Sequence, residues 1–315
     1  MRYDARVVRR RAVGAAIALA TALAAGGCNQ IFGLDPADRT DAAIDARVDA
    51  DESNLDASLG PWKESVPIVA FSTGNDEQDP VISDEGLELY VAYMAPASPT
   101  VVDIVVSRRV ATNQSWPPPV RVMELSTNVN EMTPRLADND RVMYLASDRP
   151  GGAGGQDVWR SQRSSIVTAW SMPAVVQDAQ LNTLANDRTA SPCLDETRFI
   201  FTSDRDGAEP DLYELVDGVA LPIPAASSQA FTEASPFVTE DCLTVYFSSN
   251  LAGDQDLYVM SRVSLTADFS PPTRIDELST TAFFDSDPWV SADGRHIVFS
   301  TNRGGGTIDL WEAFR

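Results

Sequence analysis

The chemistry open to this chain is mostly carboxylate chemistry. Its 315 residues hold 46 Asp and Glu against 24 Lys and Arg, a net charge of −22, with one His and three Cys. Six acids, Asp76, Asp79, Asp187, Glu233, Asp285 and Asp287, stand just ahead of or within the starts of hydrophobic runs. Paired carboxylates can cleave a glycosidic bond, one protonating the leaving oxygen and the other activating water or attacking the sugar. Gathered at one mouth without such pairing, they instead make a negative surface for a cationic partner. The charge balance argues against nucleic acid, whose phosphates need clustered Lys and Arg.

The remaining reactive types are sparse. His296 shares a repeat column with Glu88, Val142, Arg198 and Thr244. A column without apolar preference is expected to be an exposed strand start, so His296 is not read as a catalytic base. Cys193 and Cys242 lack the further Cys or His at close spacing that a zinc site requires. Cys193 lies beside Pro192, and Cys242 at the far end of the corresponding hairpin in the next repeat. That placement predicts two buried thiols too far apart to bond.

The elements that position these residues emerge from "GGAGGQDVWR", Gly151 to Arg160. Related loops recur: "SDRDGAEPDLY" from Ser203, "SNLAGDQDLY" from Ser249, "TNRGGGTIDLW" from Thr301, and a divergent "YMAPASPTVVDIV" from Tyr93. The Asp before the bulky pair is Asp103, Asp157, Asp211, Asp256 and Asp309, at intervals of 54, 54, 45 and 53 residues. A hydrophobic run precedes each loop, and Pro80, Pro134, Pro192, Pro236 and Pro288 precede the runs. Three adjacent columns are apolar, as in Leu89-Tyr90-Val91 and Ile297-Val298-Phe299, which marks strands covered on both faces. Each glycine loop therefore joins two strands as a hairpin. A phosphate loop would open a helix instead. Asp148 with Arg149, Asp204 with Arg205, Arg303, and the recurrent Asp157, Asp211, Asp256 and Asp309 are expected to tie these hairpins together by hydrogen bonds and ion pairs.

A fourth segment lies between repeats: "WPPPVRVMELST" from Trp116, "WSMPAVVQDAQLNT" from Trp170 and "FSPPTRIDELST" from Phe269. A further copy, "WKESVPIVAFST" from Trp62, precedes the first repeat. Four short strands per unit of about 50 residues predict an all-β β-propeller of four-stranded blades. Five blades are expected, with six as the alternative, and the Trp62 segment is expected to close the ring as the outermost strand of the last blade. "DSDPWVSADGRHIVFSTNRGGGTIDLW", "MTPRLADNDRVMYLASDRPGGAGGQDVW" and "ASPCLDETRFIFTSDRDGAEPDLY" resemble the repeat of TolB-like β-propellers, over roughly Glu64 to Arg315. That resemblance implies a ring that engages proteins and peptide segments at its axial mouth. Neither a hydrolase domain nor a Gly-x-Ser-x-Gly elbow accompanies the repeats.

Ahead of the ring, Arg2, Arg6, Arg9, Arg10 and Arg11 precede the apolar "AVGAAIALATALAA" and then Ala25-Gly26-Gly27-Cys28. This order resembles a bacterial lipoprotein signal, which implies cleavage before Cys28 and lipid attached to it. Residues 1–27 are thus expected to be a signal peptide, 28–61 a lipidated Cys with a disordered Asp/Ala-rich tether, and 62–315 the propeller. Asp45, Asp49, Asp51 and Glu52 lack the Gly and terminal Glu of a calcium-binding loop.

The functional expectation is a monomeric, lipid-anchored envelope scaffold at the outer membrane, facing the periplasm or cell surface. It would bind proteins or peptides with basic segments through Asp76, Asp79, Glu233, Asp285 and Asp287, without catalysis. The alternative is a glycan-binding or glycan-cleaving propeller that uses the acidic mouth. No cofactor is expected, apart from a structural calcium ion that the acid content leaves open.

Overall fold

The computed structural model describes residues 59–94, 101–207, 209–227 and 230–315. Cys28, the signal segment and most of the tether lie outside the described residues. Strand β1 (Val66–Pro67) comes first. Blade 1 is β2 (Asp76–Ile82), β3 (Glu88–Met94), β4 (Val102–Arg108) and β5 (Val120–Arg121). Blade 2 is β6 (Glu131–Ala137), β7 (Val142–Ser147), β8 (Asp157–Gln162) and β9 (Ala174–Val175). Blade 3 is β10 (Asp187–Cys193), β11 (Arg198–Ser203), β12 (Asp211–Val216) and β13 (Val219–Pro222). Blade 4 is β14 (Glu233–Val238), β15 (Thr244–Ser249), β16 (Asp256–Ser261) and β17 (Thr273–Arg274). Blade 5 is β18 (Asp285–Val290), β19 (His296–Thr301) and β20 (Asp309–Phe314), completed by β1.

The five antiparallel sheets form a five-bladed β-propeller. Its innermost strands touch in a full circle, β2–β6–β10–β14–β18–β2, around a central axis. The apolar columns explain the packing. Leu89, Tyr90, Val91, Ile297, Val298 and Phe299 are all fully buried, because each second strand lies inside its sheet and is covered on its faces by neighbouring blades. Ring closure is as expected: β1 pairs antiparallel with β20, Val66 opposite Glu312 and Pro67 opposite Trp311.

The glycine loop is a hairpin connection, with Ser147 opposite Asp157 across β7 and β8. Its glycine has a steric reason. A Cβ on Gly152 would overlap the Asp157 carboxylate, and one on Gly304 would overlap that of Asp309. The short interval after Asp211 also has a local cause. In blade 3, β12 and β13 are joined by Asp217–Gly218 alone, both at positive φ (51° and 74°), where blades 1, 2 and 4 use a longer loop.

Three expectations are corrected. Cys193 and Cys242 form a disulfide, with Cα atoms 5.5 Å apart, clipping blade 3 to blade 4. Pro192 is not the counterpart of the other inner-strand prolines. Every innermost strand carries a bulge, and the residues inside it are Asp79-Pro80, Thr133-Pro134, Thr189-Ala190, Ser235-Pro236 and Asp287-Pro288. Ala190 therefore holds the proline place, and Cys193 lies further along its strand, level with the turn that carries Cys242. Finally, the Glu88 column is not an exposed strand start: Glu88 and Val142 are buried, and Arg198, Thr244 and His296 are half-buried.

Candidate functional site at the ring axis

The inner-strand bulges build the axis. Asp79, Thr133, Thr189, Ser235 and Asp287 occupy equivalent places and all have φ between 47° and 54°. A non-glycine residue there is strained, and the following bulge residue is Pro in four blades. This backbone turn aims short oxygen-bearing side chains around the axis rather than along the strand. The N–H of Asp79 donates to Asp287 Oδ2 (3.5 Å), and that of Thr133 to Asp79 Oδ2 (3.2 Å). The N–H of Thr189 donates to Thr133 Oγ1 (3.2 Å), and the Ser235 hydroxyl to Asp287 Oδ1 (2.6 Å). Blade is thus linked to blade by a belt of side-chain oxygens.

Arg135, two residues past Thr133, sits against this belt and is 2% exposed. Its guanidinium donates to the Pro134 carbonyl (2.9 Å) and reaches across to the Pro236 carbonyl of blade 4 (3.4 Å). Burial pushes Asp79 up to about 8, the Asp287 charge adds to this, and Arg135, the Thr133 N–H and Arg188 oppose it. At neutral pH Asp79 therefore holds its proton, beside Asp287 and a buried cation.

The other mouth residues are held by partners, most of them in their own blade. Asp285 is buried and paired with Arg303 (2.9 Å), and Asp187 with Arg205 (2.6 Å). Glu131, which the sequence reading passed over, is paired with Arg149 (3.1 Å). Glu233 holds the same place in blade 4 and accepts from the Ser249 hydroxyl (3.2 Å). Asp76 is half-buried, and its Oδ1 accepts the N–H of Ile308 (3.0 Å). Of the five proposed partner contacts, the axis brings together Asp79 and Asp287, while Asp76, Glu233 and Asp285 lie apart in blades 1, 4 and 5.

Several of the repeat residues are engaged in hydrogen bonds or ion pairs. Asp148 accepts the backbone N–H and the amide of Asn130, and Asp204 those of Asn186. Asp157 accepts the N–H of Gly154 (3.2 Å), and Asp256 pairs with Arg274 (2.8 Å). Asp211 and Asp309 open β12 and β20 opposite Ser203 and Thr301. A further device went unread: Arg109, Arg163, Arg262 and Arg315 stack on Trp116, Trp170, Phe269 and Trp62 at 3.9–4.4 Å. The aromatic that opens each fourth-strand segment is one half of this pair, and the Arg that directly follows the third strand was the legible other half.

His296 is engaged rather than open, 2.9 Å from Glu312 and stacked on Phe314 with ring centroids 4.3 Å apart. A groove of about 570 Å³ runs between blades 1 and 2, lined in part by Arg108, Arg121, Ile166 and Trp170. On the opposite face from the mouth segments, the turns between first and second strands expose Asp84, Glu85, Asp138, Asp195, Glu240 and Asp293. Arg109, Arg163, Arg262 and Arg315 each hydrogen-bond a carbonyl of the first turn of their own blade, which ties two loops of that face together within blades 1, 2, 4 and 5.

No family model matches the sequence, and no curated protein matches it. Solved structures do match. A GH62 hydrolase in complex with xylotriose is 10% identical with a TM-score of 0.52, over 82% of this chain and 98% of that one. An alpha-L-arabinofuranosidase from Lactobacillus brevis is 10% identical with a TM-score of 0.52, over 78% and 93%. TolB from Acinetobacter baumannii is 14% identical with a TM-score of 0.44, over 76% of this chain and 55% of that one. At these identities, what the chain shares with the two hydrolases is the fold.

Proposed function

We propose that this chain is an exported, lipid-anchored propeller that acts as a binding scaffold for partners with basic segments. The observation that carries the reading is the state of the acids a glycosidase would need. Asp79, Asp187, Asp285 and Asp287 are each 5% exposed or less, and each is already held by protein partners. Among these four acids a sugar and a water find no free carboxylate pair to enter between. On the turn face Asp84, Glu85, Asp138, Asp195, Glu240 and Asp293 remain in solvent, where they offer a negative field. The Cys193–Cys242 disulfide supports export, since such bonds persist outside the reducing cytosol. The experiment is capture of lysine-rich peptides and envelope proteins by the parent chain and by a variant with Glu85, Asp138, Asp195, Glu240 and Asp293 neutralised to Gln or Asn.

A second reading has one observation in its favour. Asp79 keeps its proton beside Asp287, which is the separation of roles that an acid and a base require. Assay of xylan and aryl arabinosides with the parent and Asp79→Asn chains decides it: turnover lost in the variant supports hydrolysis, and no turnover by the parent removes it.

A further inference from the structure

Ile166 and Val167, in the wall of the groove between blades 1 and 2, stand out against their counterparts in other blades. The loop from Arg163 to Trp170 joins β8 to β9, and its equivalent in blade 4 runs from Arg262 to Phe269. Each begins with the stacked arginine and ends with the aromatic beneath it. Aligned on those ends, Ile166 matches Leu265 and Val167 matches Thr266. Leu265 is half-buried and packs on the core shared by blades 3 and 4. Ile166 is 41% exposed and Val167 89% exposed. In blade 1 the same two places, counted from Arg109, hold Thr112 and Asn113. Blade 2 thus shows solvent two aliphatic side chains where blade 4 covers one and polar residues take the remaining places.

The loop is fastened at its base. Arg163 donates to Glu88 (2.6 Å) and to the Tyr90 hydroxyl (3.2 Å) of blade 1, and to the carbonyl of Ile166 itself (3.0 Å). The Trp170 indole N–H donates to the same Tyr90 hydroxyl (3.1 Å). The aliphatic wall is therefore held against blade 1, which supplies Val106 and Val122 to the lining. The groove's volume of about 570 Å³ falls within the usual range of ligand clefts.

Its unspent charge is negative. Arg108 donates to Glu88 (2.7 Å), Arg121 to Asp103 (2.7 Å), and Arg109 to the carbonyls of Gly86 (2.7 Å) and Gln114 (3.1 Å). Asp140 accepts the N–H of Asp84 (3.0 Å). Of the charged side chains in the lining, Glu85 and Glu124 are exposed and have no hydrogen-bond or ion-pair partner among the described residues.

We infer that this groove seats an extended peptide segment of the partner, with an aliphatic side chain against Ile166 and Val167 and a neighbouring lysine against Glu85 or Glu124. The inference rests on the scaffold reading and narrows it from a charged face to one cleft with an apolar requirement. Charge brings the segment in, and the aliphatic contact sets which basic segment stays.

The test is fluorescence anisotropy with two labelled peptides of lysine and glycine, identical except for a central Leu in one and Ser in the other, titrated with the parent chain at low salt. The Leu peptide should bind at least about tenfold more tightly, the effect of burying one leucine side chain. The Ile166→Ser/Val167→Ser chain should bind the Leu peptide only as well as the Ser peptide, with Ser-peptide binding unchanged. Glu124→Gln, which leaves the five turn acids intact, should weaken the Leu peptide severalfold. The three substituted side chains are exposed, so melting temperatures should match the parent. Equal affinity of the parent for the two peptides, or undiminished Leu-peptide affinity in the folded double-serine chain, overturns the inference. If both peptides are nonetheless lost when Glu85, Asp138, Asp195, Glu240 and Asp293 are neutralised, the scaffold reading stands without the groove. Binding of neither peptide to the parent overturns both.

Discussion

The guanidinium of Arg315 lies 4.1 Å from the centre of the Trp62 indole, joining the two ends of the propeller sequence. The contact repeats what Arg109–Trp116, Arg163–Trp170 and Arg262–Phe269 do within their own blades. The closing seam is thus built from the same parts as a continuous blade, with Trp62 donated from the other end. Trp62 is buried, so Trp62→Ala should cost about 3–5 kcal/mol, the usual range for a buried large aromatic. Deleting Trp62 to Thr73 should cost more, because it also strips the partner strand from β20 and leaves an open edge. Deleting residues 35–58 should leave the melting temperature unchanged. Equal losses for the two deletions would refute closure by β1.

The disulfide should matter for stability, not for folding topology. It closes a sequence separation of 49 residues between blades 3 and 4. The chain-entropy account gives about 4 kcal/mol for a loop of this size. Chemical denaturation of the Cys193→Ser/Cys242→Ser double variant should show a loss of that order, and reducing agent should do the same to the parent. Both sulfurs are buried, so reduction should be slow unless the chain is partly unfolded.

Stability should fall as pH rises through neutrality. Asp79 titrates near 8, and Glu77 and Asp140 near 7, each raised mainly by burial from ordinary values near 4. Below about 4 both folded and unfolded chains carry these protons, and the contribution to stability is fully present. Between there and the raised values the unfolded chain ionises first, so it binds fewer protons and is increasingly favoured. Melting temperature should therefore be higher at pH 5 than at pH 8. Asp79→Asn should flatten this dependence and raise stability at pH 8 relative to the parent, because Asn keeps an uncharged group beside Asp287. An unchanged pH slope in Asp79→Asn would show that Asp79 does not keep its proton through neutrality.

Fold and site were legible to different degrees. The three apolar columns and the Trp62 segment are determined by burial, which leaves a direct mark on residue type, and they gave the blades and the closure. The axial belt is defined instead by backbone conformation. Asp79, Thr133, Thr189, Ser235 and Asp287 share only a short oxygen-bearing side chain, a type too common along this sequence to announce them. Proline was the usable signal, and it misled in blade 3, where Ala190 stands in its place and Pro192 lies two residues on. A two-residue slip along a strand is about 7 Å. That distance separates a disulfide from two free thiols, and it is why Cys193 and Cys242 were expected to remain apart. The mouth acids misled for a different reason: the sequence shows that Glu233 and Asp285 are acidic but not that the fold buries them.

Anchoring is tested at Cys28. Cys28→Ser should abolish incorporation of labelled fatty acid and move the protein from the membrane to the soluble fraction. Lipid labelling that persists in this variant would contradict the lipobox reading.

Binding of a basic partner to the acidic turn face is the central claim, and salt-dependent capture measures it most directly. The parent chain and the variant neutralised at Glu85, Asp138, Asp195, Glu240 and Asp293 would be immobilised and offered lysine-rich peptides and solubilised envelope proteins at low and high salt. These five acids are exposed, so the variant should melt with the parent. The account predicts capture by the parent at low salt, weakened at high salt by screening, and lost in the variant. Capture that is identical in the two chains, or no capture by either, would contradict it.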